Sequence, residues 1–108
     1  MEEHPEPMLK DILDVVSEIR SLLRVTTFLD VQKLLETTLE TDEERLAYDL
    51  SDGERTQAEI AQAVRVTQPS ISNWWKRWNQ MGITIDSRRF AKRQQKAFDL
   101  AAYGIHFD

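Results

Sequence analysis

Residues 56–78 read TQAEIAQAVRVTQPSISNWWKRW and carry the signals for two helices separated by a short turn. Thr56 and Glu59 have the form of a capping box, in which a hydroxyl and a carboxylate each accept a hydrogen bond from a backbone N–H at the helix start. The apolar spacing that follows predicts a first helix over 57–64. Its inner face consists of Ile60, Ala61 and Val64.

A second helix is predicted over 68–81, after a tight turn at Arg65-Val66. Thr67 is a candidate N-cap, and Pro69 is tolerated in the first turn because its missing N–H would be unpaired there in any case. Gly82 then ends the helix, since glycine adopts the left-handed conformation without a steric penalty.

The second helix has two chemically different faces when successive side chains are placed about 100° apart. Its apolar face consists of Ile71, Trp74, Trp75, Trp78 and Met81, with Trp75 the least secure member of the core. Its other side consists of Pro69, Ser72, Asn73, Lys76, Arg77 and Gln80. None of the chain's 19 acidic residues lies between Arg65 and Ile85, so this side fits a polyanion such as the major groove of DNA.

The apolar positions of residues 57–74, with the small Ala61 where the helices cross, resemble the helix-turn-helix of prokaryotic transcription regulators. The quoted stretch is most similar to the winged-helix branch, including archaeal-type regulators, and the resemblance covers about residues 42–85. Arg65 departs from the family, which usually has glycine at this turn, and its left-handed conformation costs about 1 kcal/mol. The resemblance implies a DNA-binding domain.

Downstream of Gly82 the sequence predicts a short β-hairpin, the wing of a winged helix. Residues 83–85 are β-rich, and residues 90–100 alternate as a strand that would pair with them, although they can also be read as a helix. We favour the strand, followed by one helical turn that Asp99 caps and Gly104 ends. The basic residues Arg88, Arg89, Lys92, Arg93 and Lys96 would then lie beside the second helix.

Upstream, residues 8–24 have the pattern of an amphipathic helix with a coiled-coil-like stripe. The stripe consists of Leu9, Ile12, Val16, Ile19 and Leu23, widened by Leu13, Val15 and Leu22. It can pack on its own domain or on the same helix of a second copy, and we favour a dimer. We expect residues 1–7 to be a frayed lead-in.

Between the stripe and the quoted stretch, the sequence predicts two shorter helices. Val25, Thr26 and Thr27 are poor helix formers and predict a break, followed by a helix over 28–38. Thr41 to Glu44 forms another capping-box pattern before a helix over 42–50. This helix is expected to bury Leu46, Ala47 and Leu50, before a turn that contains Gly53.

Charge is distributed unevenly along the chain. Residues 1–54 contain 15 acidic and 5 basic residues, whereas residues 55–108 contain 4 acidic and 9 basic residues. This asymmetry indicates that the second half faces a polyanion while the first half has another task, such as contact with protein. The absence of cysteine excludes disulfides, thiolate catalysis and thiolate metal sites. The acidic N-terminus and the lack of a long apolar run favour a cytoplasmic, nucleoid-associated protein without membrane contact.

The predicted fold is therefore mainly α, with an N-terminal dimerisation helix in residues 1–27 and a helix-turn-helix domain with a short β-hairpin in residues 28–108. The predicted function is sequence-specific binding of double-stranded DNA by a homodimer that regulates transcription. A protein-interaction adapter and an RNA-binding protein are the alternatives. Catalysis is not expected, because His4 and His106 lie at opposite ends and no catalytic motif is present, and no cofactor, metal or small-molecule ligand is inferred. The candidate DNA contacts are Thr56, Gln57, Thr67, Gln68, Pro69, Ser70, Ser72, Asn73, Lys76, Arg77, Arg88, Arg89, Lys92 and Arg93.

Overall fold

The computed structural model describes residues 5–107, without the side chains of residues 5–7 and 23–26. The expected fold class, mainly α with a helix-turn-helix and a short β-hairpin, is confirmed. The chain divides into two compact units, Met1–Val31 and Gln32–Asp108. Its elements are α1 (Pro5–Thr38), α2 (Asp42–Leu50), α3 (Gln57–Val64), α4 (Gln68–Met81), β1 (Thr84–Asp86), β2 (Gln94–Lys96) and a 3₁₀ turn (Leu100–Tyr103).

The first helix is longer than the sequence predicted. α1 continues through residues 24–27, so the expected break there is wrong. β-branched residues cost only a few tenths of a kcal/mol each in a helix, and neither glycine nor proline occurs between residues 8 and 38 to interrupt it. The helix also begins at Pro5, within the expected lead-in, because proline is compatible with a first helical turn. Residues 1–4 of that lead-in lie outside the described residues.

Within the N-terminal unit, the large apolar side chains of α1 are exposed. Their exposed fractions range from 44 to 68% for Met8, Leu9, Ile12, Leu13, Val15, Val16, Ile19 and Leu22. The side chain of Leu23, the last member of the predicted stripe, lies outside the described residues. The dimer contact through this helix therefore stays a prediction.

The C-terminal unit has a hydrophobic core formed by its helices, by Ile83 before β1 and by the 3₁₀ turn. Its fully buried side chains include Leu35, Leu39, Tyr48, Ile60, Ile71, Trp78, Ile83 and Leu100. The sequence analysis placed Leu46 and Leu50 in this core, but both are only half-buried. The residue of α2 that it missed, Tyr48, is buried instead and packs edge-on against Trp78 with ring centroids 5.5 Å apart.

Tyr48 can be buried because its hydroxyl is fully used. The hydroxyl donates to the carbonyl oxygen of Ile83 at 2.7 Å and accepts from the backbone N–H of Phe98 at 3.2 Å. Burial raises the pKa of Tyr48 to about 12, since the phenolate would lose its hydration. One side chain thus connects α2 to the segments on both sides of the hairpin.

The hairpin is shorter than expected. β1 and β2 pair antiparallel, with Thr84 opposite Lys96 and Asp86 opposite Gln94, so residues 90–93 belong to the turn rather than to the strand. On its other edge, β2 forms a single antiparallel bridge from Gln95 to Asp52. The expected final turn is confirmed, because Asp99 caps the 3₁₀ turn and Gly104 ends it in the left-handed conformation.

Candidate nucleic-acid interface

The two helices of the interface are fixed by their caps and by the turn between them. The capping box of Thr56 and Glu59 is complete in both directions, and α3 and α4 begin and end at the predicted residues. Arg65 adopts φ 67° and ψ 43°, the left-handed conformation that the turn requires, although it is not glycine. The N–H of Val66 then donates to the carbonyl of Ala61 at 3.0 Å, which closes the end of α3.

The indole rings of α4 turn inward, as the sequence predicted, but their order of burial differs. Trp75 is only 3% exposed, and its indole N–H donates to Ser51 Oγ at 2.9 Å. Trp74 is half-buried and stacks on Trp78 with ring centroids 6.0 Å apart. The prediction that Trp75 was the least secure core member is therefore wrong, because the hydroxyl of Ser51, at the end of α2, accepts a hydrogen bond from the indole N–H.

The opposite side of α4 faces away from the core. Its exposed residues are Pro69, Asn73, Lys76 and Gln80, and the same holds for Thr67 and Gln68 at the start of the helix. Ser70 is half-buried and shares a 2.8 Å hydrogen bond with Thr67, so these two hydroxyls also serve the N-cap. No acidic residue interrupts this side.

A groove of about 460 Å³ runs between α4 and the hairpin. Its lining includes Gln57, Ser72 and Lys76 from the helices and Lys92 from the hairpin. Two smaller hollows adjoin it, and Gln57 lines both of them. One of these hollows also contains Gln68, Pro69, Ser72 and Asn73, so the structure brings the predicted contacts of α3 and α4 together.

The turn of the hairpin, residues 87–93, carries four cations and is called the basic loop below. Ser87 anchors it, since its hydroxyl donates to the Gly53 carbonyl at 2.7 Å. Arg89 forms an ion pair with the Glu54 carboxylate at 3.0 Å, and Arg93 donates to the Glu54 carbonyl at 2.9 Å. Arg88 and Lys92 are exposed and form no ion pair within the described part of the chain.

Gly53 makes this anchoring possible. Its φ of +80° is a left-handed conformation, and a Cβ atom there would lie 3.1 Å from Ser87 Oγ and 3.3 Å from the Gln95 Cβ. The loop before α3 therefore approaches the hairpin closely, which places the basic loop beside the start of α3.

Two cations that the sequence placed near the DNA do not line the groove between α4 and the hairpin. Arg77 pairs with Glu44 of α2 at 3.1 Å and lines a separate hollow with residues 37, 38, 40 and 81. Lys96 pairs with Asp49 at 2.9 Å. Neighbouring helical residues point about 100° apart, so Arg77 faces α2 whereas Lys76 faces the groove.

The Glu44 carboxylate has a partner on each oxygen. Thr41 accepts from the N–H of Glu44 at 3.1 Å, as predicted, while Glu44 Oε1 accepts from the Thr41 hydroxyl at 3.4 Å and Oε2 pairs with Arg77.

Sequence reasoning missed the residues that attach the hairpin to α4. Asn79 donates to Asp86 at 3.1 Å and to Gln94 at 2.9 Å, and Gln94 donates in turn to Asp86 at 2.6 Å. Thr84 completes this cluster by donating to Gln94 at 2.8 Å. The cluster depends on the register of the hairpin, and nothing in the composition of these ordinary polar residues indicates it.

Two acidic groups near the interface are held as carboxylates. Hydrogen bonds from the backbone and hydroxyl of Thr56 lower the pKa of Glu59. For Asp52, burial acts to raise the pKa, but N–H groups of Arg55 and Glu54 and the charge of Arg55 together lower it. Both the loop before α3 and the first turn of α3 therefore keep a charged hydrogen-bond acceptor at neutral pH.

Part of the chain matches a known protein family. Residues 47–93 match the family model described as a helix-turn-helix domain, a span that takes in α3, α4, β1 and the basic loop. No curated protein and no solved structure matches the chain. The match supports a DNA-binding domain in this part of the chain.

The described residues contain neither a membrane-spanning helix nor a metal-binding cluster. No helix in residues 5–107 is long and apolar enough to cross a membrane. Among the same residues, no cluster of histidine and acidic side chains has the grouping that a metal ion needs.

Proposed function

We propose that this protein binds double-stranded DNA in a sequence-specific manner, with residues 68–76 of α4 in the major groove. The observation that carries the proposal is the exposed, acid-free side of α4 beside the groove that leads to the basic loop. The major groove admits an α-helix, and each base pair displays a distinct pattern of hydrogen-bond donors and acceptors there.

Within this arrangement the polar residues of α4 have separate roles. Asn73 has the donor and acceptor that pair with adenine, and Lys76 donates to guanine. The start of the helix lies nearest the bases in such complexes. The contacts proposed there are Thr67, Gln68, Pro69, Ser70 and Ser72, together with Thr56 and Gln57 at the start of α3. Arg77 would reach a phosphate only by leaving Glu44.

The basic loop would hold the flanking DNA in the manner of a wing. Arg88, Arg89, Lys92 and Arg93 present cations that suit phosphates or the minor groove, and such contacts fix the orientation of a protein without reading sequence. The bridge between Asp52 and β2 extends the hairpin by one contact, which supports the winged-helix branch. The archaeal-type assignment rests only on the resemblance of residues 56–78.

The exposed stripe of α1 supports a homodimer. Leu9, Ile12, Val16 and Ile19 are more than 40% exposed, which is costly in water unless a second copy covers them. A two-fold dimer binds a pseudo-palindromic site, with half-sites about 10 base pairs apart or a multiple of that spacing. We therefore propose a non-enzymatic transcriptional regulator that is associated with the nucleoid.

A mobility-shift titration tests the proposal. The full chain is titrated against duplexes selected from a random pool, random duplex and single strands, at about 50 and 200 mM salt. We expect tight binding to the selected duplex, weaker and strongly salt-dependent binding to random duplex, and no preference for single strands. Preference for single-stranded RNA, or no nucleic-acid binding, would refute the proposal.

Two variants test the assignment of residues. Asn73→Ala should relax discrimination at one base pair, at a cost of about 1–3 kcal/mol on the selected duplex. The matched control is Gln62→Ala, which removes an exposed amide from α3 outside the groove and should bind as the wild type does. Equal losses on all sequences for Asn73→Ala would contradict its role as a reader.

A further inference from the structure

The basic loop contains one residue that its electrostatic role does not explain. Phe90 lies among the four cations and keeps 38% of its surface exposed. It is not among the buried residues of the core. A single exposed apolar residue is ordinary at a protein surface, but this ring lies between cations of the proposed DNA-binding loop, where an apolar face has no use in phosphate contact.

The loop holds this ring in a defined position. Ser87 Oγ accepts from the backbone N–H groups of both Arg89 and Phe90 at 3.3 Å, which fixes the turn. The guanidinium carbon of Arg93 lies 4.5 Å from the ring centroid, and that of Arg89 lies 5.8 Å away. Since both guanidinium groups also bond to Glu54, the ring is tied through them to the loop before α3.

The Phe90 ring and the two guanidinium groups beside it combine two features that suit the minor groove. Guanidinium groups are attracted by its negative potential, and apolar side chains such as phenylalanine enter between base pairs and partly unstack them. Phosphate contact alone would need only the cations. The ring of Phe90 supports the two arginines through cation–π contacts and keeps part of its surface exposed, so the exposed part can still meet a base pair.

We propose that Phe90 is an apolar wedge that inserts between two base pairs in the minor groove, beside the major-groove site of α4. The inference rests on the proposed function, since it requires a duplex already positioned by α4. Arg89 and Arg93 hold the ring at the mouth of the groove, and Arg89 would reach a phosphate only by leaving Glu54. The DNA is expected to bend toward the major groove at the step where the ring enters.

The test compares Phe90→Ala with Arg88→Ala on the selected duplex over a range of salt concentrations. Removing the wedge should weaken binding about tenfold without changing the salt dependence, because no phosphate contact is lost. Removing the Arg88 cation should instead lower the salt slope by about 1. Phe90→Leu, which keeps an apolar wedge, should retain most of the affinity.

A spectroscopic measurement separates the wedge from a mere support for Arg93. Duplexes that carry 2-aminopurine at successive flanking positions should show increased emission at one step with wild-type protein, and no increase with Phe90→Ala. Ile85→Ala is the matched control, since it truncates an exposed apolar residue of the same hairpin and should behave as wild type. Unfolding by urea should place Phe90→Ala within about 1 kcal/mol of wild type, since exposed cation–π contacts contribute about that much.

The outcomes distinguish the two proposals. If wild-type protein binds no duplex, the proposed function fails and the wedge fails with it. If wild type binds and Phe90→Ala binds equally well, only the wedge is refuted. A Phe90→Ala variant that loses affinity together with salt slope, and leaves 2-aminopurine emission unchanged, would show that Phe90 merely positions Arg93, and this also overturns the wedge.

Discussion

Two isoleucines show how differently the two units use the same residue type. Ile12 of α1 and Ile60 of α3 both lie on the apolar side of an amphipathic helix. Ile60 is fully buried, whereas Ile12 is 52% exposed. The C-terminal unit covers its apolar residues with its own elements, but within the described residues nothing covers the stripe of α1.

Helical periodicity therefore predicts which face of a helix is apolar, but not which residues cover that face. In the C-terminal unit the buried side chains come from segments that are distant in sequence, such as Leu35 in α1 and Ile83 before β1. For the N-terminal unit a second copy is the proposed partner, since exposed apolar patches of this extent mark interaction sites. The charge follows the same division, with the acidic half holding the stripe and the basic half holding the groove.

The largest effect is expected when the two isoleucines are truncated. Ile60→Ala should lower the free energy of unfolding by about 2–5 kcal/mol at every protein concentration, because it leaves a cavity in a closed core. Ile12→Ala should destabilise less and in a concentration-dependent manner, because its loss falls on the contact between copies. Urea titrations at several protein concentrations, with sedimentation to measure mass, check both variants.

Unchanged mass and unchanged stability for Ile12→Ala would contradict the proposed contact between copies. An exposed helical isoleucine in a monomer gains slightly from replacement by alanine, which has a higher helix propensity. A small, concentration-independent stabilisation would therefore show that the stripe is not a dimer contact.

Local signals in the sequence were sufficient for most of the C-terminal fold. The caps at Thr41, Thr56 and Thr67 and the end at Gly82 set the bounds of α2, α3 and α4, because each depends on residues within one helical turn. The break predicted at residues 24–27 failed for the complementary reason. Weak propensity is a small energy, and in a long helix without glycine or proline it does not outweigh the continued hydrogen bonding.

Features that depend on tertiary contacts were harder to predict. The burial of Tyr48 and Trp75 depends on partners 35 and 24 residues away, Ile83 and Ser51, which no local pattern reveals. The outward residues of α4 could be assigned from helical geometry alone. The positions of Arg77 and Lys96 could not, since each is decided by an acidic partner on α2.

A smaller effect is expected from Tyr48→Phe. This change removes a buried hydroxyl from the C-terminal unit and leaves the N-terminal unit as it is. The change leaves the Ile83 carbonyl and the Phe98 N–H without this partner, so it should cost about 1–3 kcal/mol. Urea denaturation at neutral pH measures the loss, and no change in mass is expected.

The pH dependence of the same variant gives an independent check. Burial raises the pKa of Tyr48 to about 12, so the folded state holds this proton more tightly than the unfolded chain, whose tyrosine titrates near 10. The resulting stability is complete below about pH 10 and is lost as the pH rises toward 12. Wild type should therefore lose stability over this range more steeply than Tyr48→Phe, and parallel curves would contradict the burial of the hydroxyl.

The smallest effect on folding is expected from Arg89→Ala, although the same change should clearly affect binding. Arg89 and Glu54 are 76% and 56% exposed, and ion pairs with such exposure contribute at most about 1 kcal/mol because water screens them. The variant should therefore unfold within about 0.5 kcal/mol of wild type, while its affinity for every duplex falls and its salt slope drops by about 1. Urea titration and salt-dependent mobility shifts measure the two effects on one sample. If stability fell by several kcal/mol while the salt slope stayed constant, Arg89 would be a structural residue, and the basic loop would belong with the core of the C-terminal unit rather than with its DNA-binding surface.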